Sequence, residues 1–282
     1  MSVLQRFGDA WRAASRRIDR AEARRLLEQV CACSHADLIA HPEREMNPMQ
    51  VERFEAVVAR REAGEPLAYL LGSAWFAGLE FAVTPDVLIP RPDTEVLVDL
   101  ACARAQEMRE PRIVDLGTGS GIIPIVLAKR CPHARITAVD FSPAALAVAQ
   151  ANAERHGAVV RFLEGDWFAP LIGERFDLVV SNPPYVAAED AHLLRDGLPF
   201  EPRCALTDGV DGGDGTACLQ AIIAGAGEVL SPGGWLLLEH GYDQAVKIMM
   251  CLKNAGFGQV ASWQDAAGIE RVSGGVWGSA AG

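Results

Sequence analysis

Asn182, Pro183, Pro184 and Tyr185 follow directly on a short apolar run, Leu178, Val179 and Val180. The run reads as a buried strand, and the two prolines end its hydrogen bonding and hold the chain extended. An amide oxygen, fixed main-chain carbonyls and an aromatic ring are thus expected together at a strand's carboxyl end. Such a cluster suits the NH₂ of a flat, conjugated group. The lone pair of that nitrogen is delocalised, so two acceptors on its two N–H bonds would orient it and favour a pyramidal, partly cationic transition state. The Asn182 side-chain oxygen and the Pro183 or Pro184 carbonyl are the acceptors, and the Tyr185 ring packs on the planar group. No strong base is required, because the proton can leave after the nitrogen has reacted.

A second constellation lies upstream. Asp115 is followed by Gly117, Thr118, Gly119, Ser120 and Gly121, and then by a helical run from Ile122 to Lys129. Glycines here let the backbone turn sharply and approach a ligand closely. A dinucleotide fingerprint would need Gly or Ala where Ile122 stands, so the spacing suits a ligand without a pyrophosphate, such as the amino-acid part of S-adenosylmethionine. Asp140 ends the next strand, placed to accept hydrogen bonds from both hydroxyls of a ribose. It can also cap the helix that begins near Ser142. Trp167 follows the third strand and offers a flat face for adenine, with Asp166 beside it to bond the amino group.

These residues need an alternation of strands and helices to carry them. Ile113–Leu116, Ile136–Val139, Val160–Leu163, Leu178–Val180 and Trp235–Leu238 read as strands, with amphipathic segments between the early ones. That is the pattern of a parallel α/β sheet with helices on both faces, and Gly256–Gly275 can add a final strand pair. Residues 1–73 read instead as short helices. Asp19 with Glu22, Ser34 with Asp37, and Asn47-Pro48 with Gln50 are capping signals, and Val51, Phe54 and Val58 form one apolar face. Residues 74–95 read as a linker: Trp75, Ala77, Leu79, Phe81 and Val83 alternate around Gly78 as a hairpin. In Ile89–Glu95 two prolines stiffen the chain, and Asp93 or Thr94 can cap the next helix. Residues 96–282 form the α/β domain.

Charge limits the partners. The chain of 282 residues has a net charge of −11, all of it beyond residue 75. An acidic domain is a poor match for a phosphate backbone, which argues against broad nucleic-acid binding. Cysteines 31, 33, 102, 131, 204, 218 and 251 form no CxxC pair, as expected in a reducing compartment. Cys31, Cys33 and His35 lack a second ligand pair at zinc-site spacing, so no metal is expected. No apolar run has membrane-span length, and the Arg-rich segment from Met1 to Arg17 fits an amphipathic helix. The chain is read as cytoplasmic and monomeric.

Taken in order, "LIPRPDTE", "VDLGTGSG", "SNPPYV", "EPRCAL" and "LLLEHG" are similar to the motifs of the release-factor glutamine methyltransferase family, within the class I S-adenosylmethionine-dependent methyltransferases. The likeness covers nearly the whole chain, closely in the catalytic domain and loosely in the first 70 or so residues. "DGVDGGDG" (Asp208 to Gly215) departs from it, since the family more often has Leu after the second Asp-Gly. The resemblance implies a Rossmann-like methyltransferase sheet, a helical substrate-recognition domain, and N5-methylation of the glutamine in the GGQ loop of class 1 peptide chain release factors. Gly117 to Gly121, Asp140, Trp167 and Asn182 would hold S-adenosylmethionine, leaving S-adenosylhomocysteine as product, and Asn182 to Tyr185 would hold the glutamine. The Asn-Pro-Pro-Tyr motif alone leaves adenine in DNA, guanine in RNA and a glutamine side chain open. The rivals are a ribosomal-protein glutamine methyltransferase, a nucleic-acid N-methyltransferase and a non-catalytic Rossmann-like binding module.

Overall fold

The structure is a computed structural model that describes residues 5–278. Its chain divides into two compact units, one running to Ser73 and including Leu194–Phe200, the other formed by Ala74–Leu193 and Glu201 onward. The return of Leu194–Phe200 to the first unit has no counterpart in the sequence pattern. Gly197 packs so closely on the Pro66 ring that a Cβ would lie 2.9 Å from it.

The first unit holds α1 (Phe7–Ala14), α2 (Arg20–Cys31), α3 (His35–Ala40), α4 (Pro48–Glu62) and α5 (Leu67–Leu71). Their starts follow the caps in the sequence. Ser34 and Asp37 form a reciprocal capping box, as do Asn47 and Gln50 with Pro48 in the first turn. Asp19 accepts from Ala21 and Glu22, but the Glu22 carboxylate is drawn instead to Arg61, 2.7 Å away. Phe7, Leu26, Leu27, Phe54 and Val58 fill the core of this unit.

The hairpin β1 (Ser73–Phe76) and β2 (Leu79–Ala82) turns through Ala77 and Gly78, both at positive φ. The two-residue turn changes the parity of the alternation. Phe76 and Phe81 therefore share the buried face while Trp75 is exposed. There follow α6 (Thr94–Gln106), β3 (Arg112–Leu116), α7 (Ile122–Arg130), β4 (Arg135–Asp140), α8 (Pro143–His156), β5 (Val160–Glu164) and β6 (Phe176–Ser181). The chain ends with α9 (Ala217–Val229), β7 (Leu230–Glu239), α10 (Ala245–Asn254), β8 (Phe257–Gln264) and β9 (Glu270–Trp277).

The seven-stranded sheet has the order β5-β4-β3-β6-β7-β9-β8 and is parallel except for β9, which is antiparallel to both neighbours. Both faces are covered, so β6 is apolar without interruption. Leu178 and Val180 point into a core shared with α6 and α7, and Val179 into one shared with α9 and α10. The strand order reverses between β3 and β6, and the crevice at such a switch point is where ligands bind in sheets of this kind. Among the described residues no helix is long and apolar enough to cross a membrane.

Candidate active site

The carboxyl ends of β3, β4, β5 and β6 open onto a cleft of about 690 Å³. Its wall includes Gly117, Thr118, Gly119 and Ser120 after β3, Asp140 and Phe141 after β4, Asp166 and Trp167 after β5, and Asn182 and Pro184 after β6. Ile89, Pro90 and Arg91 border it, as does the Arg203–Gly209 stretch. Of the residues singled out in the sequence, Gly121, Pro183 and Tyr185 do not face the cleft.

The glycine loop is set from below and from the side. Gly117 and Thr118 donate to the Val139 carbonyl at 2.9 and 3.1 Å, carrying β3 past its end beside β4. The Trp167 ring lies across Gly117, 3.4 Å from where a Cβ would stand, whereas a Cβ on Gly119 would meet no protein atom within 4 Å. Gly119 therefore offers bare backbone to the cleft. Gly121 serves packing: its Cβ position is 3.0 Å from the Ala149 Cβ on α8. Asn152, buried on α8, donates to the Ser120 carbonyl at 2.9 Å and exchanges two bonds with Ala82 of the hairpin. No motif marks Asn152 in the sequence, since its partners lie far along the chain.

Asp140 braces the start of α8 without being its cap, which is Ser142 accepting from Ala145 N–H. One carboxylate oxygen accepts from Gly119 N–H at 2.8 Å, and the other from Ser142 N–H at 2.9 Å, where α8 begins. At least one of its four lone-pair sites stays open for a ligand hydroxyl. Burial raises the Asp140 pKa, and the bonds from Ser142, Gly119 and Phe141 pull it back. Asp115, beneath the loop, is fully buried with neither oxygen in a complete hydrogen bond. Burial drives its pKa to about 7, the Thr118 hydroxyl opposing and the charge of Asp140 adding. A buried carboxylate without a cationic partner is costly, and it marks a place where a ligand ammonium would be stabilising.

At the β6 end the register sets the spacing. Leu116 is level with Ser181, and the Ser181 hydroxyl donates to the Leu116 carbonyl at 2.7 Å, so Asn182 starts beside the glycine loop. Asn182 Nδ2 donates to Thr94 Oγ1 at 3.1 Å. Among the described residues the carbonyls of Asn182, Pro183 and Pro184 accept no backbone hydrogen bond. The Tyr185 carbonyl, by contrast, accepts from Gln244 at 2.9 Å, and its hydroxyl donates to Glu239 at 3.1 Å. Tyr185 thus runs beneath the cleft wall. Asp93 stands at the start of α6 without a side-chain cap and pairs with Arg271 at 3.3 Å.

The border is clamped by a pair that the sequence did not reveal. Glu201, its side chain 1% exposed, bonds the Arg91 guanidinium and accepts from Ile89 N–H at 3.0 Å. Two of the motifs in sequence order, around Arg91 and Glu201, are one structural unit.

Known proteins bear on this geometry. A family model described as the PrmC N-terminal domain matches residues 2–72, and one described as the methyltransferase small domain matches residues 93–195. A release factor glutamine methyltransferase of Bordetella pertussis is 52% identical over 92% of this chain and 95% of that protein. The chain belongs to that family. A release factor glutamine methyltransferase of Burkholderia pseudomallei is 48% identical over 92% of each. Among solved structures, a Pyrococcus furiosus methyltransferase aligns over 80% of this chain and 98% of its own with a TM-score of 0.54 at 18% identity. A Thermus thermophilus 16S rRNA N2 G1207 methyltransferase, in complex with AdoMet and guanosine, aligns over 73% of this chain and 49% of its own with a TM-score of 0.55 at 22% identity. At these identities the structures speak to the fold alone.

Proposed function

We propose that this protein methylates the side-chain amide nitrogen of the glutamine in the GGQ loop of peptide chain release factors, with S-adenosylmethionine as donor. The observation that carries the chemistry is the state of Asn182. Its amide nitrogen is spent on Thr94, which leaves the oxygen for a ligand, next to carbonyls with no backbone partner and at the strand end beside the glycine loop. Family membership supports the release factor as substrate over a ribosomal protein, and the acidic α/β unit disfavours duplex nucleic acid.

The residues present fit the cofactor. Gly119 gives its backbone, Asp140 has a lone-pair site open for a ribose hydroxyl, Trp167 and Phe141 flank the adenine place, and Asp115 favours a cation near the loop. When bound, the cofactor supplies a sulfonium methyl with its own leaving group. Asn182 and the Pro184 carbonyl orient the glutamine nitrogen by its two N–H bonds and stabilise the charge it gains. On this reading the glutamine enters past the cleft border from Ile89 to Arg91, which Glu201 holds. The seven cysteines are all free, which supports a cytoplasmic site of action, and we read the protein as a monomer.

Mass spectrometry after incubation with an intact release factor, its Gln→Asn variant, duplex DNA and ribosomal proteins tests the reading. One methyl on the release-factor glutamine, and a rate reduced about 100-fold on the Asn variant, is the expected result, since one missing methylene misplaces the nitrogen. Methylation of DNA or of a ribosomal protein with the release factor untouched would sink it.

A further inference from the structure

The motif Leu236–Gly241 ends β7 in Glu239, a fully buried carboxylate to which the reaction as described assigns nothing. Leu238 is level with Ser181, so Glu239 stands alongside Asn182 on the neighbouring strand end. Its Oε1 accepts from the Tyr185 hydroxyl at 3.1 Å. Its Oε2 is buried with no complete hydrogen bond, and the Thr94 hydroxyl acts on the carboxylate from nearby. Thr94 is itself fully buried and accepts from Asn182 Nδ2 at 3.1 Å.

A hydroxyl has one proton to give, and an ionised carboxylate can only accept. When Thr94 gives its proton to Glu239, its oxygen has only lone pairs left for Asn182. Only the nitrogen end of the Asn182 amide can then face it. We propose that Glu239 is a positioning residue: through Thr94 it dictates which end of the Asn182 amide faces the cleft, and through Tyr185 it anchors the far end of the same motif. This rests on the role given to Asn182 in the proposed function.

The relay has a direction only while Glu239 is ionised. Burial is the chief cause that raises its pKa to about 7; Thr94, Tyr185 and Arg271 oppose it and Asp93 adds to it. Arg271 on β9 is shared with Asp93 and Asp265, at 3.3 and 3.2 Å. His240, next in the chain, is turned to Ser273 at 2.8 Å. Below about pH 7 a protonated Glu239 donates as well as accepts, and the orientation of Asn182 is no longer enforced.

Glu239→Gln keeps the shape but offers an NH₂ to one hydroxyl, which reverses the relay. Thr94→Val removes it, and carries the test should Glu239→Gln fail to fold. Each variant is expected to lower turnover on intact release factor about 100-fold, as for loss of one oriented acceptor. Affinity for S-adenosylhomocysteine, by calorimetry, is expected to stay within about threefold. The double variant is expected to be no slower than the slower single one, because the two residues act as one unit. The acidic limb of the pH–turnover profile, centred near pH 7 in the wild type, is expected to vanish in Glu239→Gln. Hydrogen exchange of the Asn182 side-chain amide, by NMR, is expected to be slow in the wild type at pH 8 and fast in both variants. Turnover within about threefold of wild type, multiplying penalties or unchanged amide exchange would overturn the proposal. A wild type that leaves the release factor unmodified would overturn the proposed function instead, and the exchange measurement would still decide Glu239.

Discussion

Asp140 shows how one carboxylate can brace the fold and still be open to a ligand, because its two oxygens carry four lone-pair sites and Ser142, Gly119 and Phe141 take no more than three. Asp140→Ala should cost about 1.5–3 kcal/mol of cofactor binding, or roughly ten- to 150-fold in affinity. Calorimetric titration with S-adenosylmethionine checks this, and unchanged affinity in a folded variant would exclude the ribose role. The role proposed for Asn182 gives the opposite profile, since its nitrogen is held by Thr94 and its oxygen would face the reacting nitrogen. Asn182→Ala should reduce turnover by about 10²–10³ and cofactor affinity far less. Single-turnover rates at saturating protein substrate measure it; a near-normal rate would refute the grip. Asp115 was legible only as the residue ahead of the glycine loop. Its missing partners are a fact of burial, which a one-dimensional motif does not express.

At the scale of elements, the three loop glycines divide their work. Gly119 at φ 54° faces open space, and Gly121 at φ 81° faces α8. Gly119→Ala should cost about 1–2 kcal/mol of stability, the strain of a left-handed alanine, yet strongly weaken cofactor binding by filling the cleft side of the loop. Gly121→Ala carries a similar strain and a clash with Ala149 besides, so it should destabilise by about 2–4 kcal/mol. Urea unfolding alongside calorimetry separates the two, and equal stability losses would refute the division. Strands and caps were largely legible, because both are written in near neighbours. The hairpin parity was not. Its phase depends on Ala77 joining Gly78 at positive φ, and nothing in an alanine announces that.

For the whole molecule, a buried unpaired carboxylate links stability to pH. An unfolded aspartate titrates near about 3.9, and folded Asp115 at about 7. Between those values the folded state holds a proton that the unfolded state releases, so stability falls as pH rises through the window. Asp115→Asn should therefore stabilise the ligand-free protein at pH 8 by about 1–3 kcal/mol and gain little at pH 5. Thermal unfolding at the two pH values tests it; an equal gain at both would show that the charge is not the cause. The sequence by itself determined the strand–helix alternation, the caps of α2 to α4 and the order of the motifs, because periodicity and capping act over a few residues. Tertiary structure alone decided that Glu201 clamps Arg91, that Asn152 ties hairpin to glycine loop, that Leu194–Phe200 rejoins the helical unit, and that Tyr185 leaves the cleft for Glu239. Those pairings join residues far apart in the chain, which only the packed fold brings together across separations that no local spacing encodes.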